Sequence, residues 1–184
     1  MRRLIASGAV AVALLAAGLF YLLHDPNSAP YAGFESRRIK ALSDAQLDDL
    51  REGRGMGYAL AAELNDFPGP KHVLDFGEQL ELSANQRRES QRLYDAMLEE
   101  AKRGGAALVG REEDLDRLFR SGQPTEDALS RAVAEAAAAQ GQLRFVHLKY
   151  HLATRALLSS EQLASYRDLR GYSGHASGHG GHGS

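Results

Sequence analysis

Positions 129, 133, 136, 140, 143, 147, 150, 154 and 157 follow a 4-3-4-3 spacing, and most of them are apolar or small. That spacing is the seam of a helix packed along another helix. Leu129, Val133, Ala136, Leu143, Tyr150 and Leu157 fill most of it, and His147 takes one position with His151 a turn further on. From Leu143 onward Phe145, Val146, Leu148 and Leu152 carry the apolar surface beyond one stripe. A single neighbour does not cover such a helix. A second copy of the chain is the expected cover, so the pattern predicts a homodimer that buries part of Leu143–Leu158.

A second seam precedes the first. Leu93, Met97, Ala101, Gly104, Leu108, Leu115 and Phe119 lie on one long helix reaching Arg120, with Gly104-Gly105 marking a kink or a close helix approach. Ser121-Gly122-Gln123-Pro124 turns the chain, and Thr125 caps the next helix with Glu126 and Asp127 in its first turn. Two long helices in this order form an antiparallel hairpin.

One phrase occurs three times: Leu42-Ser43 with Gln46, Leu82-Ser83 with Gln86, and Leu158-Ser159 with Gln162. Serine at the cap and glutamine three residues on form a capping box, in which each satisfies an orphan donor of the helix start. The leading leucine can staple onto Leu47 in the first copy and Leu163 in the third, but meets Arg87 in the second. These serines are caps, not nucleophiles. The first box opens a helix that a bend or break ends near Gly53, Gly55 and Gly57, since glycine costs about 1 kcal/mol per helical position. Helical pattern resumes over Tyr58–Leu64, stops at Pro68-Gly69-Pro70, and returns in a short helix over Lys71–Leu80 that carries His72. The third box opens a last helix, Glu161–Arg170. The reading is all-α.

The ends differ from this body. After Arg2 and Arg3, residues 4–23 are uncharged and mostly apolar. At about 1.5 Å per residue such a run crosses a bilayer, and the arginines place the N-terminus in the cytoplasm. Bulky Phe20-Tyr21-Leu22-Leu23 and Pro30 after Asn27-Ser28-Ala29 make a poor cleavage site. Residues 1–24 are therefore expected to be an uncleaved signal-anchor in the bacterial inner membrane, single pass, with the domain in the periplasm. The alternative is a soluble periplasmic protein after cleavage. Residues 25–36 form a Pro/Gly/Ser linker, 37–170 the helical domain, and 171–184 a His/Gly-rich tail expected to be disordered.

Composition narrows the chemistry. The 184 residues carry a net charge of −2 and no dense basic patch, which argues against a nucleic-acid partner. Cysteine is absent, which excludes disulfides, thiol nucleophiles and thiolate metal sites. No phosphate loop, nucleophile elbow or HExxH occurs, so an enzyme is not expected. His147-x-x-x-His151 puts two imidazoles a turn apart, a spacing able to chelate a divalent transition metal such as Zn, Cu, Ni or Co. Glu63, His72, a partner chain or water would supply a third ligand. The competing reading packs His147 in the seam and leaves His151 at the rim beside Arg144 and Arg155. His175, His179 and His182 sit on glycine-rich backbone free to wrap an ion, or to remain a solvated tail.

With these motifs in place, LSANQ and LSSEQ resemble the LTxxQ motif of the Spy/CpxP periplasmic family, which includes the ZraP and CnrX-type heavy-metal proteins. The resemblance covers roughly residues 40–170 through motif placement, helix order and hairpin. It implies a four-helix, hairpin-based fold that dimerises into a curved cradle. It also implies a metal-binding sensor or envelope-stress modulator, with an ATP-independent chaperone for unfolded clients as the alternative, and partners among clients or an envelope signalling protein.

Overall fold

The computed structural model describes residues 29–172. The segment 1–24 and the tail histidines His175, His179 and His182 lie outside the described residues. By its contacts the chain divides into residues 1–37 and 38–184. The described part of the first unit is a short 3-10 turn, Phe34–Ser36, opened by Gly33 at a φ of 88°. Within it Tyr31 and Phe34 bring their rings to 5.9 Å, and the Arg37 guanidinium lies 3.4 Å over the Phe34 ring.

The described part of the second unit contains six α-helices: α1 (Asp44–Arg51), α2 (Leu60–Glu63), α3 (Pro70–Asp75), α4 (Ala84–Arg120), α5 (Glu126–Arg155) and α6 (Ser160–Leu169). Apart from an isolated bridge between Ile39 and Leu42, all regular structure among the described residues is helical. None of these helices is long and apolar enough to cross a membrane. All three capping boxes form, with Ser43, Ser83 and Ser159 each accepting from the third helical N–H and the glutamine reaching back.

The α4–α5 hairpin is the frame. Leu93, Ala101, Leu108 and Val109 of α4 bury against Leu143, Val146 and Tyr150 of α5, and Ile39, Leu47 and Leu50 close that core from the α1 side. The paired glycines are what let the helices meet. A Cβ at Gly105 would overlap the Leu50 carbonyl, and one at Gly104 would stand 3.1 Å from the Leu143 side chain. Since α4 runs unbroken through them, they mark a close approach and not a kink. A second core gathers Val73, Leu80, Leu82, Leu158, Leu163 and Tyr166 around the starts of α4 and α6.

Several expectations need correction. The helix expected over Tyr58–Leu64 is only Leu60–Glu63, because Met56 and Gly57 both take left-handed backbone, at φ 44° and 76°, and delay its start. The helix expected over Lys71–Leu80 ends at Asp75. Gly77 then folds against Arg87, and Glu81 turns left-handed at φ 48° before the second box. The α5 seam was expected to be buried along its length, yet Val133 is 49% exposed. Burial becomes continuous only at the far end of the hairpin, where α2 and α3 pack on α5.

Candidate functional site

The buried face of α5 carries Leu143, Val146, His147, Tyr150, His151 and Thr154. His147 is 2% exposed and His151 7% exposed. His151 therefore does not sit at the rim beside Arg144 and Arg155, as one reading expected. The chain from Phe67 to Pro70 covers it, and a Cβ at Gly69 would stand 2.8 Å from its Nε2. Glycine is the residue that lets the ring lie this close to the backbone.

Both histidines border a cavity of about 610 Å³ between α5, α4, the Gly53–Gly57 loop and the start of α3. The two rings are held differently. His151 Nδ1 lies 2.6 Å from the Phe67 carbonyl, which can only accept, so Nδ1 carries the proton and Nε2 keeps its lone pair. His147 stacks on Tyr58 at 5.9 Å and 18°, and its buried Nε2 has no hydrogen-bond partner among the described residues. Burial, and then the neighbouring His151, push the His147 pKa below its ordinary value. Burial also lowers that of His151, against the opposing pull of the Phe67 carbonyl and Glu63. Both rings thus favour the neutral form, the one that binds metal.

Glu63 and His72, the two expected sources of a third ligand in the chain, border the same cavity. Glu63 is committed elsewhere. Its Oε1 accepts from Tyr166 at 2.5 Å and Tyr172 at 3.3 Å and pairs with Arg170 at 3.2 Å. Its Oε2 accepts from the Gly69 N–H at 3.3 Å and lies 3.9 Å from His151 Nδ1. Burial and Glu63 raise the Tyr166 hydroxyl well above the ordinary tyrosine range, so it stays a donor. Glu63 orders the wall behind His151. His72 is partly exposed and reaches Asp75 at 3.5 Å. Among the described residues, no group of three or more His, Asp or Glu side chains is placed to hold a metal ion.

Sequence reasoning named His147, His151, Glu63 and His72, and the fold brings all four to one cavity. It placed Met97 in a helix seam and Arg170 at a helix end, and gave neither of them, nor Met56, Tyr166 and Tyr172, a place at the site. Glu63 as the one acid in the segment Tyr58–Leu64 was a signal that partners lay elsewhere, but they are more than a hundred residues away. The comparisons add no assignment: no family model, curated protein or solved structure matches the chain.

Proposed function

We propose that the chain is an envelope metal-binding sensor or stress modulator of the Spy/CpxP/ZraP kind. Residues 1–24 anchor it in the inner membrane, the helical domain lies in the periplasm, and the chain acts by binding without catalysing a reaction. The observation that carries the metal reading is the pair His147 and His151, both buried on one rigid helix and both bordering one cavity. The orphaned His147 Nε2 fits a ligand there, because an unpaired buried nitrogen costs about 1–3 kcal/mol that a bound ion would offset. The two rings supply imidazole nitrogen to a transition metal, with water or a further side chain completing the shell. The tail histidines His175, His179 and His182 supply weaker sites.

Two boxes at the starts of α4 and α6, joined to the α4–α5 hairpin, support the resemblance and its hairpin-based all-α fold. The described residues form six helices and not the expected four, because the glycines at 53–57 and the Pro68-Gly69-Pro70 break split the chain before α4 into three short helices. Equilibrium dialysis of the full chain against Zn²⁺, Cu²⁺, Ni²⁺ and Co²⁺, beside His147→Gln, tests the reading. A site lost in His147→Gln is expected, and no uptake by either protein sinks it.

A chaperone is the second reading. It is favoured by the exposed Phe119, Val133, Phe145 and Leu152, between 49% and 59% accessible, which offer an unfolded client weak apolar contacts. Suppression of client aggregation without any metal dependence would select it.

A further inference from the structure

We propose that the cavity beside α5 is a site for cuprous copper, held by the thioethers of Met56 and Met97 together with the imidazole of His147. The inference rests on the metal reading above and names the ion. Every histidine and every methionine among the described residues (His72, His147, His151, Met56 and Met97) borders this one cavity. They come from the Gly53–Gly57 loop, α3, α4 and α5, so nearness in sequence does not explain their meeting. The chain has no cysteine, which leaves thioether and imidazole as its soft donors.

Two further observations point to a ligand. His147 borders the cavity, and its buried Nε2 has no hydrogen-bond partner among the described residues. Met56 takes left-handed backbone, φ 44°, between Gly55 and Gly57. That conformation is strained for a residue with a side chain. Met56 is 36% exposed on a loop that borders the cavity, and Met97, part-buried against the main core, borders it from α4.

Donor type selects the cuprous ion. Thioethers favour Cu(I), whereas Zn²⁺ sites draw three or four nitrogen, oxygen or thiolate ligands from the protein. No such group of three His, Asp or Glu side chains occurs among the described residues, while Cu(I) is satisfied by two or three soft donors. Arg54, Lys71, Lys102 and Arg170 border the cavity together with Glu52 and Glu63, and Arg54, Lys71 and Arg170 are paired with Asp49, Asp75 and Glu63, so the choice of ion rests on the donors.

The test uses the full chain with His175→Ser, His179→Ser and His182→Ser, kept anaerobic with ascorbate and titrated with Cu(I) against bicinchoninate. X-ray absorption then reads the donor atoms. One Cu(I) per chain with a mixed sulfur and nitrogen shell is expected. Met97→Leu, which conserves volume, and Met56→Leu should each lose sulfur scattering and weaken Cu(I) retention by at least about tenfold. Uptake of Zn²⁺, Ni²⁺, Co²⁺ and Cu²⁺ should not change in either. His147→Gln should weaken retention of every ion. Thermal melts check folding, and if Met97→Leu unfolds, the part-exposed Met56→Leu decides. A nitrogen-only shell, or unchanged Cu(I) retention in Met56→Leu, overturns the cuprous site and leaves the general metal reading standing. Absence of all metal uptake overturns both.

Discussion

Gln86 and Gln162, the third helical residues of two capping boxes 76 positions apart, join their side-chain amides, with Gln86 Nε2 donating to Gln162 Oε1 at 2.8 Å and Gln162 Nε2 donating to Gln86 Oε1 at 3.2 Å. Each also donates to a carbonyl just before the other's box, Gln86 to Leu157 at 2.8 Å and Gln162 to Leu80 at 3.0 Å. Each Oε1 still accepts from its own cap, the Ser83 or Ser159 N–H, at 3.0 Å. Two helix starts thereby become one joint, with the second apolar core around it.

Removing either amide leaves the other with unpaired polar groups in a half-buried site. Gln86→Ala and Gln162→Ala should each destabilise the fold by about 1–3 kcal/mol in urea unfolding. The double variant should fall short of the sum by more than about 0.5 kcal/mol. Additive losses would mean that the two boxes act only as separate caps.

That joint shows how far a sequence reads. Each box was legible because Ser and Gln sit three apart on one local turn, a relation set by backbone geometry. Their pairing was not, since nothing local encodes which distant carbonyl Gln86 reaches. The same division runs through the site. His147 and His151 share a face because four residues make one helical turn. Yet the burial of His151 comes from Gly69 and Phe67, more than eighty positions away. The family resemblance rests on the legible half alone.

The glycines of α4 give opposite predictions from one substitution. Helix propensity alone favours alanine over glycine by about 1 kcal/mol. Gly110 has open space where a Cβ would go, so Gly110→Ala should raise stability by roughly that amount. At Gly105 the new Cβ would overlap the Leu50 backbone, so α1 would have to leave α4. Gly105→Ala should therefore lose about 1–3 kcal/mol or more, as overpacked cores do. Thermal or urea unfolding of the two variants beside the parent decides it, and a gain at Gly105 would disprove the close approach.

The buried histidines make stability depend on pH. Their native pKa values lie below the ordinary 6.5, by burial first in both cases. As pH falls through about 6.5 the unfolded chain binds protons that the native state refuses. Stability is thus fully present above that point and lost progressively down to the native values. In metal-free protein the urea midpoint should drop from pH 7 to pH 5, and drop less in His147→Gln. Equal drops in the two proteins would show that carboxylates alone set the dependence.

The last prediction concerns the other side of α5. Phe145 and Leu152 are 56% and 59% exposed, two turns apart, and point away from the face that buries Leu143, His147 and Tyr150. Leu148 between them is half-buried, and Ala138, Gly141 and Ala156 add small exposed positions along the same side. The apolar excess read from the sequence at Leu143–Leu158 thus divides in two. Val146 belongs to the core of one chain, while Phe145 and Leu152 stay exposed. Within one chain, Phe145→Glu places a charge in solvent, so its unfolding midpoint should stay within about 0.5 kcal/mol of the parent. In a homodimer the same charge is buried at the interface, so sedimentation velocity should show a dimer for the parent and a monomer for Phe145→Glu and Leu152→Glu. Leu148→Glu should also cost stability, because that side chain is half-covered within its own chain. A parent monomeric at every concentration, or a dimer indifferent to both exposed substitutions, would remove this face from any assembly and leave it for clients.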